Sequence, residues 1–145
     1  MADTTAPNNS ALIHLTRVDA NGVGTPGACD INDTFNTTGI GYSAGGAVTQ
    51  LTSRTTGVTL NSLTGAITLF TAAGSATPAS FTVTNSTVAA TDVIAISVKS
   101  STTNLYEVFV TAVGAGSFQI TFFTTGGTTS DAPVFNYAVI KGAAS

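Results

Sequence analysis

The pattern in this chain that comes nearest to a catalytic motif is Gly41-Tyr-Ser-Ala-Gly45, which matches the G-x-S-x-G arrangement around a serine nucleophile. That chemistry requires a sharp turn between a strand and a helix, which exposes the serine hydroxyl to a histidine base. The residues after Gly45 alternate as in a strand, and the only histidine, His14, precedes Ser43, whereas hydrolases with this motif place it last. We therefore predict a Gly/Ser hinge at Ser43 and no nucleophile.

A second glycine pattern, Gly22-Val-Gly24-Thr-Pro-Gly27, matches the G-x-G-x-x-G of dinucleotide sites. A pyrophosphate site needs a helix that begins at these glycines, whereas Pro26 and the polar run after it predict a turn. Acid–base chemistry also lacks candidates, because Glu107 is the only glutamate and the aspartates lie mainly in predicted loops. We expect no enzymatic activity and no bound cofactor.

Oxygen-bearing side chains near the amino terminus, those of Asp19, Asn21, Asp30 and Asp33, are of the type that binds Ca²⁺. Their spacing fits no EF-hand loop, which requires a glutamate at its twelfth position, so solvated turn residues are the favoured interpretation and no metal site is predicted. A cation bound where subunits meet stays open as the alternative. His14 has no cysteine or histidine cluster around it and is interpreted as a structural residue rather than a zinc ligand.

The low charge of the chain excludes several classes of partner. Only 8% of its residues are Asp, Glu, Lys or Arg, compared with roughly 25% in an ordinary soluble domain. The net charge is -3, and the few basic residues are Arg17, Arg54, Lys99 and Lys141. A nucleic-acid partner is therefore not expected. Apolar runs such as Val93 to Val98 are far shorter than the roughly 20 residues of a membrane-spanning helix, so no membrane partner is expected.

The features that mark secreted proteins are also weak. The amino-terminal residues MADTTAPNNS have no basic segment followed by an apolar core, so no secretory signal is expected. The sequons that begin at Asn36 and Asn85 should therefore carry no sugar. Cys29 is the only cysteine and cannot form an internal disulfide, which favours a buried or idle thiol. Nothing here implies maturation in an oxidising compartment.

Alternation of apolar and polar residues is the strongest structural signal in the chain. Val58 and Leu60 fall on one side of a strand. Ile67 and Leu69 do the same on the next strand, after a turn rich in Asn, Ser and Gly. Threonine on the opposite faces favours a sheet, because its β-branched side chain suits an extended backbone. We predict an all-β fold, an antiparallel β-sandwich, jelly-roll-like or Ig-like, of about eight strands.

The predicted strands and core can be written down residue by residue. The strands lie near residues 47–51, 57–60, 66–71, 80–85, 92–99, 105–113, 117–124 and 133–141. The core residues are the apolar ones on one side of these strands, namely Val58, Leu60, Ile67, Leu69, Phe81, Val83, Ile94, Ile96, Val98, Val108, Val110, Phe118, Ile120, Phe122, Phe135, Tyr137 and Val139. Glycine-rich turns are predicted at 114–116 and 126–127.

A break in composition separates two parts of the chain. Residues 39–46, GIGYSAGG, follow a segment dense in turn formers and precede the alternating strands. We predict an N-terminal arm over residues 1–40, mostly irregular with one possible strand at 12–18. The β-sandwich domain is predicted over residues 41–145. Such an arm needs a surface to lie against.

Three aromatic residues interrupt the polar faces of their strands: Phe70, Phe109 and Phe123. They indicate a second buried surface, which we interpret as an interface between copies of the chain. A β-bulge that turns each ring back into the core is the alternative, and the sequence leaves both open. Most predicted strands also lack the Lys, Pro and inward-pointing charges that usually protect exposed edges, so we expect partner subunits to cover these edges.

Three runs of the chain resemble one known kind of domain: GGAVTQLTSRTTGVTLNSLTGAITLF, FTVTNSTVAATDVIAISV and PVFNYAVIK. It is a small all-β domain of tailed-bacteriophage virion proteins, among them head decoration (cement) proteins, head fibres and some tail-fibre modules. The resemblance covers about residues 41–141, and its most specific element is V-T-Q-x-T-S-x-x-T-G-V-T-L-N over residues 48–61. It implies a structural role in a virion.

Chain length favours a capsid decoration protein, because a tail fibre normally carries shaft and attachment segments beside such a domain. The resemblance then implies a homotrimer on the capsid exterior that clamps neighbouring subunits of the major capsid protein and is made in the cytoplasm of the bacterial host. A head-fibre or tail-fibre module that binds the host surface is the alternative. The arm is the candidate capsid-docking segment, with the candidate contact residues Asp19, Asn21, Asp30, Asp33 and Phe35.

Overall fold

The computed structural model describes residues 45–100 and 102–142 in full, together with the backbone of one short strand pair nearer the amino terminus. That pair consists of β1 (Arg17–Val18) and β2 (Gly24–Thr25), which run antiparallel. The rest of the strand predicted at 12–18 lies outside the described residues. The chain divides into two compact units, Met1–Ile40 and Gly41–Ser145.

The second unit is built from strands throughout the part that the structure describes. In chain order these are β3 (Gly46–Thr49), β4 (Val58–Thr59), β5 (Thr64–Thr68), β6 (Ala72–Ala73), β7 (Ala79–Thr84), β8 (Val93–Ser100), β9 (Leu105–Gly114), β10 (Ser117–Gly126), β11 (Ser130–Asp131) and β12 (Val134–Ile140). No helix occurs among the described residues, so the prediction of an all-β fold is confirmed. Each strand predicted in this unit occurs close to its predicted bounds, and the two-residue strands β6 and β11 are additional.

Two four-stranded sheets form a β-sandwich. Sheet 1 has the order β3-β5-β12-β8, and sheet 2 has the order β4-β7-β10-β9. The strands beside β12 and β10 are antiparallel to them. In contrast, β3 runs parallel to β5 and β4 runs parallel to β7. These two parallel pairs depart from the predicted antiparallel sandwich. Between β3 and β5, and again between β4 and β7, the chain passes through the other sheet, so the second strand of each pair can run in the same direction as the first. The strands β6 and β11 form a separate antiparallel ladder.

Aromatic side chains of the two sheets meet in the core. The ring centroids of Phe122 on β10 and Phe135 on β12 are 5.6 Å apart, and those of Phe118 and Tyr137 are 5.1 Å apart. Both pairs are edge-to-face, an arrangement that aromatic rings prefer in protein interiors. Burying a side chain of this size contributes about 1.5–3 kcal/mol, so these central strands hold the sheets together.

The predicted core is confirmed in full. Every residue expected there from alternation packs in the apolar cluster between the sheets, either buried or partly buried. Val88 and Tyr106 belong to the cluster as well. Val88 lies between strands, where alternation gives no signal. Tyr106 shares the inward face of β9 with Val108, two residues away, and the same periodicity indicates it.

A β-bulge in β9 keeps the apolar residues of this strand on the core side. Ile120 of β10 pairs with Val110 and Gln119 pairs with Ala112, so Thr111 is the extra residue. The hairpin turn that follows contains Gly116, whose φ of 79° lies in the left-handed region that favours glycine. The turn predicted at residues 114–116 is therefore confirmed.

The sandwich has two short and two long edge strands. On one side the sheets end in β3 and β4, which have four and two residues. On the other side they end in β8 and β9, which have eight and ten residues and contact each other. An edge strand presents unpaired backbone N–H and C=O groups. The long side of the sandwich is thus the side at which another strand could be added.

Candidate functional site

The most prominent aromatic cluster on the surface lies on the outer face of sheet 2. The rings of Phe109 on β9 and Phe123 on β10 are stacked, with their centroids 6.2 Å apart and their planes at 25°. Phe109 is 47% exposed, whereas its neighbours Val108 and Val110 pack against the core. The bulge at Thr111 does not turn the Phe109 ring inwards, so the alternative of a ring folded back into the core is wrong for this residue.

Phe70, the third predicted interface residue, lies elsewhere. It follows β5 in sheet 1, is 37% exposed and makes no ring contact with Phe109 or Phe123 in the described part of the chain. Its backbone is held on both sides, because its N–H donates to Gln50 Oε1 (3.3 Å) and its C=O accepts from Arg54 Nε (3.0 Å). The structure therefore brings together two of the three aromatic residues.

Four further large apolar side chains are exposed and were absent from the sequence prediction: Leu51, Val93, Leu105 and Ile140. Val93 and Ile140 are paired across β8 and β12 on the outer face of sheet 1. Sequence reasoning could have found these two, because both are apolar residues at outward-facing positions of alternating strands. Leu51 lies in the loop after β3, where alternation has ended. Exposed apolar surface therefore occurs on several faces of the sandwich.

Hydroxyl side chains occupy the outer face of sheet 2 beside the aromatic pair. Thr121 Oγ1 on β10 is 2.8 Å from Ser80 Oγ on β7 and 2.8 Å from Thr111 Oγ1 on β9. Thr111 also donates to Gln119 Oε1 (3.0 Å). The hydroxyls satisfy one another along this row. The face is therefore nearly neutral, with Glu107 as its charged residue, and does not resemble a site for a charged small molecule.

A buried ion pair between Arg54 and Asp131 ties together one end of the sandwich. Arg54 Nη2 donates to Asp131 Oδ1 (2.8 Å), and the two side chains are only 10% and 5% exposed. The same guanidinium donates to the carbonyls of Phe70 (3.0 Å) and Ala72 (2.5 Å). It also donates to the Tyr106 hydroxyl (2.8 Å). We call Arg54, Asp131 and Tyr106 the clasp, because they join the loop after β3 to β6, β9 and β11.

The Asp131 carboxylate is fully occupied by donors. Its Oδ1 accepts from the Tyr106 hydroxyl (2.5 Å), and its Oδ2 accepts from the backbone N–H groups of Thr103 (2.9 Å) and Asn104 (3.2 Å). Burial alone raises the pKa of Asp131. The hydrogen bonds from Tyr106 and the Thr103 amide, followed by that from Arg54, outweigh burial and lower this pKa to about 2. The clasp therefore holds structure together and offers no free acid, base or nucleophile.

A second ion pair, Asp92 with Lys141, closes the end of the sandwich where β8 begins and β12 ends. The Lys141 ammonium donates to Asp92 Oδ2 and to the Thr87 carbonyl (2.8 Å). Asp92 also accepts from the backbone N–H groups of Ala89 (2.8 Å) and Gly142 (3.0 Å). The hydrogen bond from the Ala89 amide, followed by that from Lys141, lowers the pKa of Asp92 to about 2. Both ends of the sandwich are thus fastened by an aspartate.

Acid should destabilise the protein within a defined pH window. Asp92 and Asp131 each have a pKa of about 2 in the folded chain, below the ordinary value of 3.8. A lowered folded-state pKa contributes stability that is present above pH 3.8 and is lost as the pH falls towards 2. In calorimetry, we expect a nearly constant melting temperature from about pH 7 to 5 and a steep fall below about pH 4.

The variant Asp131→Asn is the comparison for this acid profile. It should melt at a lower temperature than the wild type at neutral pH, because the Arg54 guanidinium has lost its anion. It should also lose less stability on acidification, since one of the two titrating carboxyls is gone. A wild-type melting temperature that stays flat down to about pH 2 would contradict this account of the two aspartates.

The most specific sequence element, residues 48–61, contains the crossing from sheet 1 to sheet 2. Gln50 is 2% exposed, and its Nε2 donates to the Thr56 carbonyl (2.7 Å). Asn61 Oδ1 accepts from the backbone N–H of Ser86 (2.9 Å). These polar residues serve the backbone around them and do not form a ligand site. The element is thus a structural signature of the crossing.

Asn85, the first residue of one sequon, is fully buried. Its Nδ2 donates to the carbonyl of Ser62 (2.8 Å) and to the Tyr137 hydroxyl (3.2 Å). Its Oδ1 accepts from the backbone N–H of Thr87 (3.0 Å). Because this amide is enclosed and bonded at both atoms, it cannot carry a sugar in the folded protein. Burial also raises the pKa of Tyr137.

Several predicted site residues lie outside the residues that the structure describes. They are Asp19, Asn21, Asp30, Asp33 and Phe35 of the candidate capsid-docking arm, together with His14, Cys29, Asn36 and Ser43. The interpretations given for them stay predictions. In the second glycine pattern, Gly24 and Thr25 form β2, so no helix begins at Gly24.

Neither a metal centre nor a membrane-spanning helix occurs among the described residues. No three His, Cys, Asp or Glu side chains of this part of the chain come together in a way that could hold a metal ion. The described segments also contain no helix long and apolar enough to cross a membrane. Comparisons of the chain with protein-family models, with curated proteins and with solved structures found no match.

Proposed function

We propose that this chain is a structural protein of a bacteriophage virion, a capsid decoration (cement) protein that binds the major capsid protein on the capsid exterior as a homotrimer. The observation that carries the proposal is the outer surface of the sandwich. Exposed apolar residues and long edge strands lie there, while no buried polar side-chain atom of the described residues lacks a hydrogen bond. Such a surface is suited to contacts with other protein subunits. The resemblance of residues 41–141 to phage virion domains supports a virion as that assembly.

The exposed apolar residues lie on several faces rather than in one pocket. Phe109 and Phe123 share the outer face of sheet 2. Val93 and Ile140 share the outer face of sheet 1, and Leu51 lies in a loop. A subunit that contacts both its own copies and a shell needs contact surfaces on more than one side. This distribution supports a place inside an assembly over a single ligand site.

The proposed function is mechanical. Packaged DNA presses outwards on a capsid, and neighbouring capsomers separate at their junctions. A trimer that spans a junction adds buried surface that exists only while the shell is closed. Because each trimer makes several contacts at once, contacts that are weak individually become strong through effective concentration. A rigid body fastened at both ends by ion pairs is suited to such a clamp.

Removal of the arm tests the proposal. A variant that lacks residues 1–38 should keep a folded, oligomeric sandwich and bind purified capsids at least about tenfold more weakly, because the arm is proposed to add contacts with the shell. Co-sedimentation with capsids measures binding, and circular dichroism with size-exclusion chromatography measures folding. The full-length variant Asp30→Ala/Asp33→Ala tests two candidate contact residues without shortening the chain.

Two outcomes would count against this assignment. A shortened chain that fails to fold would show that the arm belongs to the core of the protein. A full-length protein that is missing from purified phage particles would contradict the virion role itself. Quantitative mass spectrometry of purified particles gives the second result without any variant.

A head-fibre or tail-fibre module that binds the host surface is the second candidate. The observation that favours it is Leu51, which is 83% exposed in the loop after β3, since loops carried by a rigid scaffold commonly form binding sites. Copy number separates the two candidates. A decoration protein is present in many copies per particle and a fibre in few, and binding of host glycans by the purified chain would favour the fibre.

A further inference from the structure

Within the described part of the sandwich, two charged side chains have no ion-pair partner. The charged residues there are Arg54, Asp92, Lys99, Glu107, Asp131 and Lys141. The ion pairs at the two ends of the sandwich account for four of them. Lys99 and Glu107 are exposed and form no ion pair with any described residue. They are opposite in sign, so Lys99 of one copy of the chain can pair with Glu107 of another copy.

Lys99 and Glu107 lie on the two long edge strands. Lys99 is near the end of β8, and Glu107 is near the start of β9, so both stand at the end of the sandwich where the β8–β9 connection lies. β8 and β9 end sheet 1 and sheet 2 on the same side. A register shift leaves Lys99 without a partner residue on β12. Each long edge therefore carries a single charge, and the two charges lie at the same level.

We propose that β8 of one copy packs against β9 of the next copy, head to tail, with Lys99 against Glu107. This inference rests on the proposed homotrimer and names the surface through which it forms. A twofold contact of either edge with itself about an axis parallel to the strands would bring like charges together, which is unfavourable. The head-to-tail contact brings opposite charges together, and such contacts form a ring when the rotation from copy to copy closes, as the proposed homotrimer requires. Around an axis parallel to the strands, β8 and the neighbouring β9 run antiparallel, and the charges stay level.

The faces that meet in this contact also differ in side-chain size. Around the axis, the outer face of sheet 2 of one copy turns towards the outer face of sheet 1 of the next. Sheet 2 presents the stacked rings of Phe109 and Phe123. Along β8 between Val93 and Lys99, sheet 1 presents small side chains, with Ala138 paired to Ala95 and Ser97 on the same face. The larger pair, Val93 and Ile140, lies at the end of this face away from Lys99. Rings on one face and small residues on the other allow close packing of the two surfaces.

An open groove on sheet 1 extends from Lys99 on β8 across β12 and β5 to β3. In the proposed contact this groove would receive the rings of the next copy. It has a volume of about 410 Å³, and its walls include Ala66, Lys99, Asn136 and Ala138. Apart from Lys99 these side chains are uncharged, so the groove suits an aromatic ring next to a carboxylate. Phe109 and Glu107 supply that combination from β9 of the next copy, two residues apart on one face.

Charge reversal in the full-length chain tests the contact. Glu107→Lys or Lys99→Glu alone should weaken association about fivefold at each contact and roughly a hundredfold for a closed ring, because an attraction becomes a repulsion. The double variant Lys99→Glu/Glu107→Lys should regain the wild-type association constant. Analytical ultracentrifugation at low ionic strength measures all three, and Thr82→Lys, on the outer face of sheet 2 but on β7, is the control that should associate normally.

A disulfide experiment tests the direction of the contact. In a Cys29→Ser background, mixed Lys99→Cys and Glu107→Cys chains should form disulfides between unlike chains, and neither variant should do so alone. A trimer in which single reversals have no effect and unlike chains fail to cross-link would overturn the contact. Capsid binding, measured separately, tests the proposed function independently of this contact. A chain that stays monomeric at every concentration would overturn the contact and the homotrimer together.

Discussion

Replacing Arg54 with methionine should lower the free energy of unfolding by about 3–5 kcal/mol, the usual cost of removing one partner of a buried ion pair. The methionine keeps an apolar stem, but it leaves the Asp131 carboxylate, which is 5% exposed, without its cation. It also removes the donors that reach the carbonyls of Phe70 and Ala72. Since a domain of this kind has roughly 5–15 kcal/mol of stability in total, urea unfolding should show a marginally stable variant.

Lys99→Met is the matched control for the clasp variant. Lys99 is exposed and forms no ion pair within the described residues, so the same substitution should change the unfolding free energy of the protomer by less than about 0.5 kcal/mol. The double variant Arg54→Met/Asp131→Met should recover part of the loss, because the uncompensated buried charge is gone. A loss below about 1 kcal/mol in Arg54→Met would show that the clasp does not fasten the sandwich.

Phe109→Asp should dissociate the proposed trimer while the protomer stays folded. In a contact between copies, the new carboxylate would be desolvated without a partner and the apolar area of the ring would be lost, so we expect the association constant to fall at least about a thousandfold. In the protomer the ring is 47% exposed, and the main loss is its stack on Phe123, about 1 kcal/mol. Ultracentrifugation and thermal melting separate the two effects, and Phe123→Asp should behave alike.

Two variants keep this experiment specific. Thr82→Asp places the same charge on the outer face of sheet 2, but on β7, and should change neither association nor melting. Phe109→Leu keeps an apolar side chain at the contact and should cost far less association than the aspartate. An oligomer that survives Phe109→Asp unchanged would contradict the assignment of this face to an interface.

The sandwich could be predicted because most of its strands bury one face and expose the other. On β10, the buried residues Phe118, Ile120 and Phe122 recur at every second position. A shift of one residue would exchange the two faces, so the apolar pattern alone determines which side chains lie inside. The same reasoning applies to β12 and explains why every predicted core residue lies in the core.

Strand pairing and polar contacts could not be predicted in the same way. Alternation tells which face of a strand is buried, but not which strand lies beside it, and β4 contributes only two residues to its ladder with β7. Arg54 and Asp131 are 77 positions apart, and nothing in either local sequence indicates that they meet. The sequence places Asn85 at the end of a strand but does not predict its burial, because its partner Tyr137 is 52 positions away.

The candidate interface was predictable in part. Phe109 and Phe123 are out of phase with the apolar residues of their own strands, and that is enough to place them on an outer face. Their stacking depends on the register of β9 against β10, which sequence does not give. Phe70 shows the same kind of pattern but follows a strand of the other sheet, so it does not join them.

The crossing of the chain at β4 affects how the protomer folds and how it unfolds under force. β4 belongs to sheet 2, although the strands before and after it belong to sheet 1. Neither sheet can be completed from one continuous stretch of chain, so distant segments must come together before much stabilisation is gained, and such topologies fold slowly. Unfolding should be all-or-none for the same reason. Under mechanical force neither sheet should detach before the other, because the backbone crosses between the two sheets on both sides of β4.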